Sequence, residues 1–96
     1  MEKGFNSDIV LAGLQYHIQT EDWGFEKPWL VTRVYCSGAV INSIKTPYSE
    51  VLRHRNAFIL LRNRVAMSEA LQQAMREQHE RILTELRSGT LRSNEI

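Results

Sequence analysis

The feature that most constrains the fold is an abrupt change of residue usage near Thr46 and Pro47. The part before it holds four of the five glycines and both prolines, whereas residues 48–88 contain neither residue type. Because glycine and proline interrupt regular elements, a stretch of this length without them is typical of helix. The sequence therefore predicts one α+β domain over residues 1–96, with strands first and helix second.

Alternating apolar and polar residues in the first part predict β-strands. Residues 14–20 alternate regularly, and residues 29–36 are rich in the β-branched and aromatic side chains that favour strands. Ser37-Gly38 fits a two-residue hairpin turn leading into a third strand over 39–45, because glycine tolerates the backbone angles of such turns. We expect a three-stranded antiparallel meander over about residues 14–46.

The second part carries signals for a helix start and a helix end. Thr46 can cap the helix, and Pro47 suits its first position because the missing N–H would have no partner there. Gly89 suits the position just after the last turn, and Arg87 precedes it at the negative end of the helix dipole. These signals place the helical part over about residues 47–88.

The length of that helical part leaves one or two helices open. A single straight helix over 47–88 would span about 60 Å, which is long for a domain of this size. Ser68 is the best candidate for a break, since it could cap a second helix, and two helices over about 47–66 and 69–88 are favoured. We expect a frayed tail over 90–96.

Composition and charge exclude several classes of protein. The net charge of +1 excludes a strongly cationic, histone-like protein, and 43% apolar residues are ordinary globular usage. The longest apolar run, residues 57–61, is far too short for a membrane span. Because residues 1–5 lack the apolar region of a signal peptide, we expect a cytoplasmic protein.

No arrangement of residues predicts catalysis, a cofactor or a metal. The glycines are scattered singly, so there is no phosphate-binding loop. Cys36 lies beside an expected hairpin turn, with no helix start nearby to activate a thiolate. His17, Glu21 and Asp22 could ligate a metal only in a spacing that zinc sites seldom use. We therefore expect a protein that is not an enzyme.

The most distinctive segment predicts a contact surface for another protein. His17, Gln19, Glu21, Asp22 and Trp23 run from a strand into an acidic loop tip, where carboxylates can pair with a basic partner and an aromatic ring can bury area. The alternative interpretation is a solvated sheet face whose loop aromatics fold back onto the protein.

Arginines dominate the charge of the second part and predict a second contact. Arg53, Arg55, Arg62 and Arg64 fall in one window without an acidic residue. Arg53 and Arg55 are the expected contacts to an acidic protein surface. Nucleic-acid binding through Arg53 to Arg64 is the alternative function, although the small net charge makes it unlike typical nucleic-acid binders. A homodimer through the 69–88 helix is compatible with protein binding.

The string Tyr16-His17-Ile18-Gln19-Thr20-Glu21-Asp22 resembles the opening signature of a group of short bacterial proteins, the RomX-like polarity regulators. Later motifs of that group are matched by residues 32–38, by Thr46-Pro47-Tyr48, by Met75 with Gln78 and His79, and by Leu86 with Gly89. The resemblance implies an adaptor that binds a response-regulator-type polarity protein and helps nucleotide exchange on a small Ras-like GTPase. The sequence departs from the group at Ser37, where a second glycine is common, and in the arginine-rich window.

Overall fold

A four-stranded antiparallel sheet and one long helix packed across it form the frame of the protein. The computed structural model describes residues 4–53 and 55–91. The strands are Gly4–Leu11 (β1), Leu14–Asp22 (β2), Trp29–Cys36 (β3) and Ala39–Pro47 (β4), and the helices are Tyr48–Arg53 (α1), Ala57–Arg62 (α2) and Arg64–Ser88 (α3). The strands lie in the order β1-β2-β3-β4, and α3 packs against β1, β2 and β3.

The α+β class is confirmed, but the prediction of three strands is wrong because β1 adds a fourth. This strand pairs along its whole length with β2. Ser7, a polar residue, occupies one of its helix-facing positions. In addition, Ile9, Val10 and Leu11 are apolar in succession, so apolar and polar residues do not alternate clearly along the strand. The usual strand pattern therefore could not identify it.

Two tight turns connect the outer hairpins. Ser37 and Gly38 have φ angles of 52° and 84°, which confirms the predicted two-residue turn between β3 and β4. Ala12 and Gly13, with φ angles of 51° and 79°, form the matching turn between β1 and β2. Positive φ at both central residues matches the right-handed twist of the paired strands.

The described residues of the helical part form three helices, so the prediction of one or two is wrong. One break lies between α1 and α2 and the other at Asn63, so the prediction of a break at Ser68 is also wrong. Asn63 ends α2, and its side-chain oxygen accepts a hydrogen bond of 3.0 Å from the backbone N–H of Ala66 in α3. Asn56 caps α2 in the same way through the N–H of Ile59. Asparagine is as good a cap as serine, and Ser68 lies inside the continuous helix α3. None of the described helices has the length and apolar character of a membrane span.

The helical part begins at Tyr48, one residue after the predicted start, and the predicted end is confirmed, but Thr46 and Pro47 do not have the predicted roles of cap and first helical residue. Strand β4 continues through Pro47, and the hydroxyl of Thr46 donates a 2.5 Å hydrogen bond to Oε1 of Gln78 instead of capping a helix. Gly89 follows α3 with a φ of 76°, the left-handed conformation expected at a helix C-terminus. Of the predicted tail, residues 92–96 lie outside the described residues.

The core between the sheet and the helices consists of two apolar clusters. One lies at the end of the sheet where α1 and the first half of α3 pack, and its buried members are Leu30, Tyr48, Val51, Met67, Leu71 and Met75. The other lies under the second half of α3, and its buried members are Ile18, Val34, Ile82 and Leu83. Each cluster takes side chains from both the sheet and α3, which fixes how the helix crosses the strands.

A layer of polar side chains separates the two clusters. His79 joins β1 and β2 to α3, with Nε2 2.8 Å from the Ser7 hydroxyl and Nδ1 2.8 Å from the Thr20 hydroxyl. The Thr20 and Thr32 hydroxyls are 2.7 Å apart, and Nε2 of Gln78 donates to Thr32 at 2.9 Å. Because buried polar groups are costly without partners, this network allows few other positions of α3 on the sheet.

Candidate functional site

The helices leave one face of the sheet uncovered, and most of the predicted contact residues lie there. His17, Gln19 and Glu21 alternate with residues of β2 that face α3, so their side chains project to the opposite side. All three are half-buried, as is Trp23 in the loop that follows. We call this surface the outer-face patch; its members are His17, Gln19, Glu21, Trp23, Arg33, Tyr35 and Lys45.

The ring of Trp23 folds back over the outer face of the sheet. It lies 5.4 Å from the guanidinium carbon of Arg33 and 5.4 Å from the amine of Lys45, and its Nε1 donates to Glu21 at 3.2 Å. Val31 is the register partner of Glu21 and Lys45 on this face and is only 2% exposed. The position of the indole, between the strand neighbours of buried Val31, agrees with the alternative interpretation, in which the loop aromatics fold back onto the protein.

The other side chains of the outer-face patch pair mostly with one another. Nδ1 of His17 is 2.8 Å from Oδ1 of Asp8, and the His17 and Tyr35 rings are 5.9 Å apart. Gln19 donates to the second carboxylate oxygen of Glu21 at 2.7 Å. His17, Gln19, Glu21 and Trp23 therefore have intramolecular hydrogen-bond partners, and Arg33, Tyr35 and Lys45 have ring contacts.

Asp22 is separated from the rest of the predicted patch because it faces the helices. Its carboxylate accepts hydrogen bonds from the Tyr48 hydroxyl and from the backbone N–H of Gly24. Burial, together with the carboxylate of Asp22, raises the pKa of Tyr48 well above its usual range. Asp22 thus ties the loop after β2 to α1, and a role in partner binding stays a prediction.

Arg53 and Arg55 lie at α1, apart from the outer-face patch, and both have intramolecular partners. Arg53 forms an ion pair of 2.5 Å with Glu50, which precedes it by one helical turn. Arg55 donates to the carbonyl of Val51 at 3.4 Å and lies 3.9 Å from Glu77 of α3. The two arginines that follow in the window, Arg62 and Arg64, occupy α2 and the start of α3.

A groove at the helical end of the protein was not predicted from the sequence. It has a volume of about 650 Å³ and runs between α2, the first half of α3 and the loop after β2. We call it the helical groove; its lining residues are Asp22, Phe25, Leu60, Leu61, Arg64, Met67, Ser68, Leu71, Gln72 and Met75. Most of these side chains are apolar, which is typical of surfaces that bind other molecules.

Exposed apolar side chains continue from the groove across α2. Phe58, Ile59, Leu61 and Val65 are between 53% and 68% exposed, and α2 has no buried residue. Arg62 covers part of this surface, with its guanidinium carbon 4.1 Å from the Phe58 ring centre. The signal in the sequence was the run of apolar residues around the whole of α2, because a helix packed on one side needs only a single apolar stripe.

A metal ion or a catalytic hydroxyl–imidazole pair would each need a particular arrangement of side chains, and the expectation that the protein is not an enzyme stays a prediction. Among them, no group of three His, Cys, Asp or Glu side chains could hold a metal. Ser7 and His79 form a hydroxyl–imidazole pair, but His79 is 3% exposed between the sheet and α3, where no substrate can reach it. Burial lowers the pKa of His79, which keeps the ring neutral in its hydrogen-bonded layer.

The outward side of α3 is polar along its second half. Arg76, Glu80, Arg81, Thr84 and Arg87 are exposed there, and the apolar side chains of this half pack on the sheet. A homodimer through this helix would have to bury charged residues, and it stays a prediction.

No protein-family model, curated protein or solved structure matches this chain. The resemblance to RomX-like polarity regulators, with the two partners that it implies, therefore stays a prediction. The helical groove and the outer-face patch have to be judged by their own geometry.

Proposed function

We propose that this chain is a non-catalytic protein-interaction module whose docking surface is the helical groove. The observation that carries the proposal is the apolar surface of α2 and the start of α3: Leu61 is exposed and lines the groove, and Phe58, Ile59 and Val65 are exposed on the same two helices. Contiguous exposed apolar side chains next to a groove are typical of protein-binding sites in small domains.

The contrast with the outer-face patch supports this choice of surface. On that face, the Trp23 ring contacts Arg33, Lys45 and Glu21. The exposed apolar side chains of the strands, Val10 and Val40 among them, do not line the helical groove. At the helical end, Leu60 alone among the described residues of α2 packs against the core, and its neighbours Ile59 and Leu61 are exposed to water. Covering them would release ordered water and gain about 25 cal/mol for each Å² of apolar surface removed.

The partners to examine first are those that the sequence resemblance implies. They are a response-regulator-type polarity protein and a small Ras-like GTPase, both of which would place the chain in a nucleotide-exchange complex. A cytoplasmic location accords with such partners.

Photo-crosslinking in the source cells tests both the function and the surface. A photoreactive phenylalanine analogue replaces Leu61 beside the groove, Tyr35 in the outer-face patch, or Thr84 on the outward side of α3. All three residues have solvent-accessible side chains, so each variant should fold. We expect discrete protein adducts from position 61 that are absent from the Thr84 control.

Other adduct patterns would contradict the proposal in distinct ways. Adducts from Tyr35 alone would move the docking surface to the outer-face patch. Adducts that nuclease removes would favour the nucleic-acid alternative through Arg53 to Arg64. No adduct from any position would refute an interaction module.

A further inference from the structure

We infer that the occupant of the helical groove is an amphipathic α-helix of a partner protein that carries acidic residues beside its apolar face. This inference rests on the proposed function and adds the shape and charge of the partner. Three features of the described residues support it: the walls of the groove, the arginines at its edge, and the consequence of a two-fold contact.

The walls of the groove favour a helix over an extended segment. Met67, Leu71 and Met75, which belong to the buried core and are 2–6% exposed, form the floor of the groove at intervals of one turn along α3, over about 12 Å. Leu60 and Leu61 line the groove from α2. An extended peptide gains most of its affinity by pairing with a free strand edge, and the walls here are two helices and a loop. A partner helix satisfies its own backbone and needs only apolar side chains to insert.

The arginines at the groove determine the charge of the partner. Residues 51–68 contain four arginines and no acidic residue. Arg64 lines the groove and Arg62 lies over Phe58 beside it, whereas the carboxylate of Asp22 on the facing wall is taken up by Tyr48 and Gly24. A carboxylate placed near either guanidinium gains a charge-assisted contact, and a basic partner would be repelled.

The same arginines argue against a second copy of this chain as the occupant. A two-fold contact brings the same surface of each copy together. A two-fold axis that passes near α2 would bring the Arg62 and Arg64 side chains of the two copies close together, and residues 51–68 contain no acidic residue to compensate. An acidic helix from another protein avoids this repulsion.

Selection from a peptide library tests the inference without knowledge of the partner. Random peptides of about 16 residues, long enough for about 24 Å of helix, are selected on the full chain. Peptides that also bind the Leu61→Gln variant are then removed. Leu61 is exposed, so this variant should keep its fold, and Phe58→Gln serves as a second variant at the same surface. We expect the remaining peptides to have apolar residues at helical spacing and a net negative charge.

Affinities of the selected peptides then separate charge from apolar contact. We expect Arg62→Gln/Arg64→Gln to weaken binding about fivefold at low salt, since each exposed charged contact contributes modestly. The control Arg81→Gln/Arg87→Gln removes the same charge from the outward side of α3 and should leave affinity unchanged. Added salt should reduce the difference between wild type and the first variant.

Several results would overturn the inference. Selected peptides that are neutral, basic or extended would refute the acidic helix, while their dependence on Leu61 would leave the groove as a docking surface. Binding to phosphatidylserine vesicles that Leu61→Gln abolishes, with no peptide selected, would refute the inference by identifying a membrane surface. Self-association that Leu61→Gln abolishes would identify a second copy. A failure of the crosslinking at position 61 would instead refute the proposed function itself.

Discussion

The two halves of α3 pack against different parts of the protein, although they belong to one continuous helix. The second half lies on the sheet, where Ile82 and Leu83 join Ile18 and Val34 in an apolar cluster bordered by the hydrogen bonds of His79 and Gln78. The first half packs against α1 and α2, and around it large apolar side chains remain exposed.

The difference shows where the chain can complete its own core and where it cannot. The sheet presents a broad face of inward side chains to the second half of α3, so the apolar side chains of that half are packed against the sheet. Two helices of six residues each offer little area to the first half, and α2 buries no residue. Small domains often complete such a surface with a partner.

The same isoleucine substitution in the two regions should give the largest contrast. Ile82→Ala, at a position 1% exposed, should lower the free energy of unfolding by about 3 kcal/mol because it leaves a cavity in the core. Ile59→Ala, at a position 53% exposed, should change it by less than about 0.5 kcal/mol. Urea denaturation of both variants measures the difference, and equal losses would show that the helical end is as well packed as the sheet end.

A glutamine pair on α3 sharpens the comparison by testing the polar layer. Gln78→Leu removes the donor to Thr32 and the acceptor of the Thr46 hydroxyl, and it should lower the free energy of unfolding by about 2 kcal/mol. Gln73→Leu is the control, since Gln73 is exposed and contacts only Glu77 in the described hydrogen bonds; its effect should stay below about 0.5 kcal/mol. A neutral or stabilising Gln78→Leu would mean that the layer contributes specificity without stability.

The smallest expected effect is a pH dependence of the free energy of unfolding that arises from His79 at the sheet end. Burial holds the pKa of His79 in the folded protein below its ordinary value of 6.5, so the unfolded chain binds the proton more readily. The free energy of unfolding should therefore fall as pH is lowered through 6.5 and below, toward the folded pKa. Thermal unfolding from neutral to mildly acidic pH should show a smaller fall in His79→Gln than in wild type.

His17→Gln serves as the control for this pH dependence. His17 lies on the outer-face patch beside Asp8, and after burial and Glu80 it is the last and smallest of three influences on the pKa of His79. If His79→Gln keeps the full wild-type fall while His17→Gln abolishes it, the dependence belongs to the outer face and the expectation for His79 is wrong.

Local sequence signals were sufficient for β2, β3, the hairpin between β3 and β4, and the end of α3. In each case the pattern and the structure depend on the same short-range geometry: alternation along a strand, or positive φ at a glycine. Strand β1 could not be identified because Ser7 faces inward to meet His79, 72 residues away in the chain. Ser68 could cap a helix as well as Asn63 does, so capping preference alone could not place the break at Asn63.

For the candidate site, the alternation of residues 14–20 placed His17 and Gln19 on one face, and the structure agrees. The prediction of Glu21 and Asp22 in a loop tip is wrong, because β2 continues through Asp22 and Glu21 follows on the face of His17 and Gln19. The alternation could not show that Asp22 turns inward to Tyr48, nor that Trp23 lies on the sheet, because both contacts join residues distant in sequence or side chains of other strands. Arg53 and Arg55 form local pairs with α1 and α3 that the charge count alone could not indicate.

By itself, the sequence determined that strands precede helices, the strands β2 to β4, the tight turn between β3 and β4 and the end of the last helix, because these depend on neighbouring residues. Only the tertiary structure decided which apolar side chains are buried. Leu60 and Leu61 are adjacent and chemically identical, yet one packs on the core and the other is 68% exposed beside the groove. A side chain is buried only where the rest of the chain offers a surface to pack against, and around most of α2 the described residues offer none.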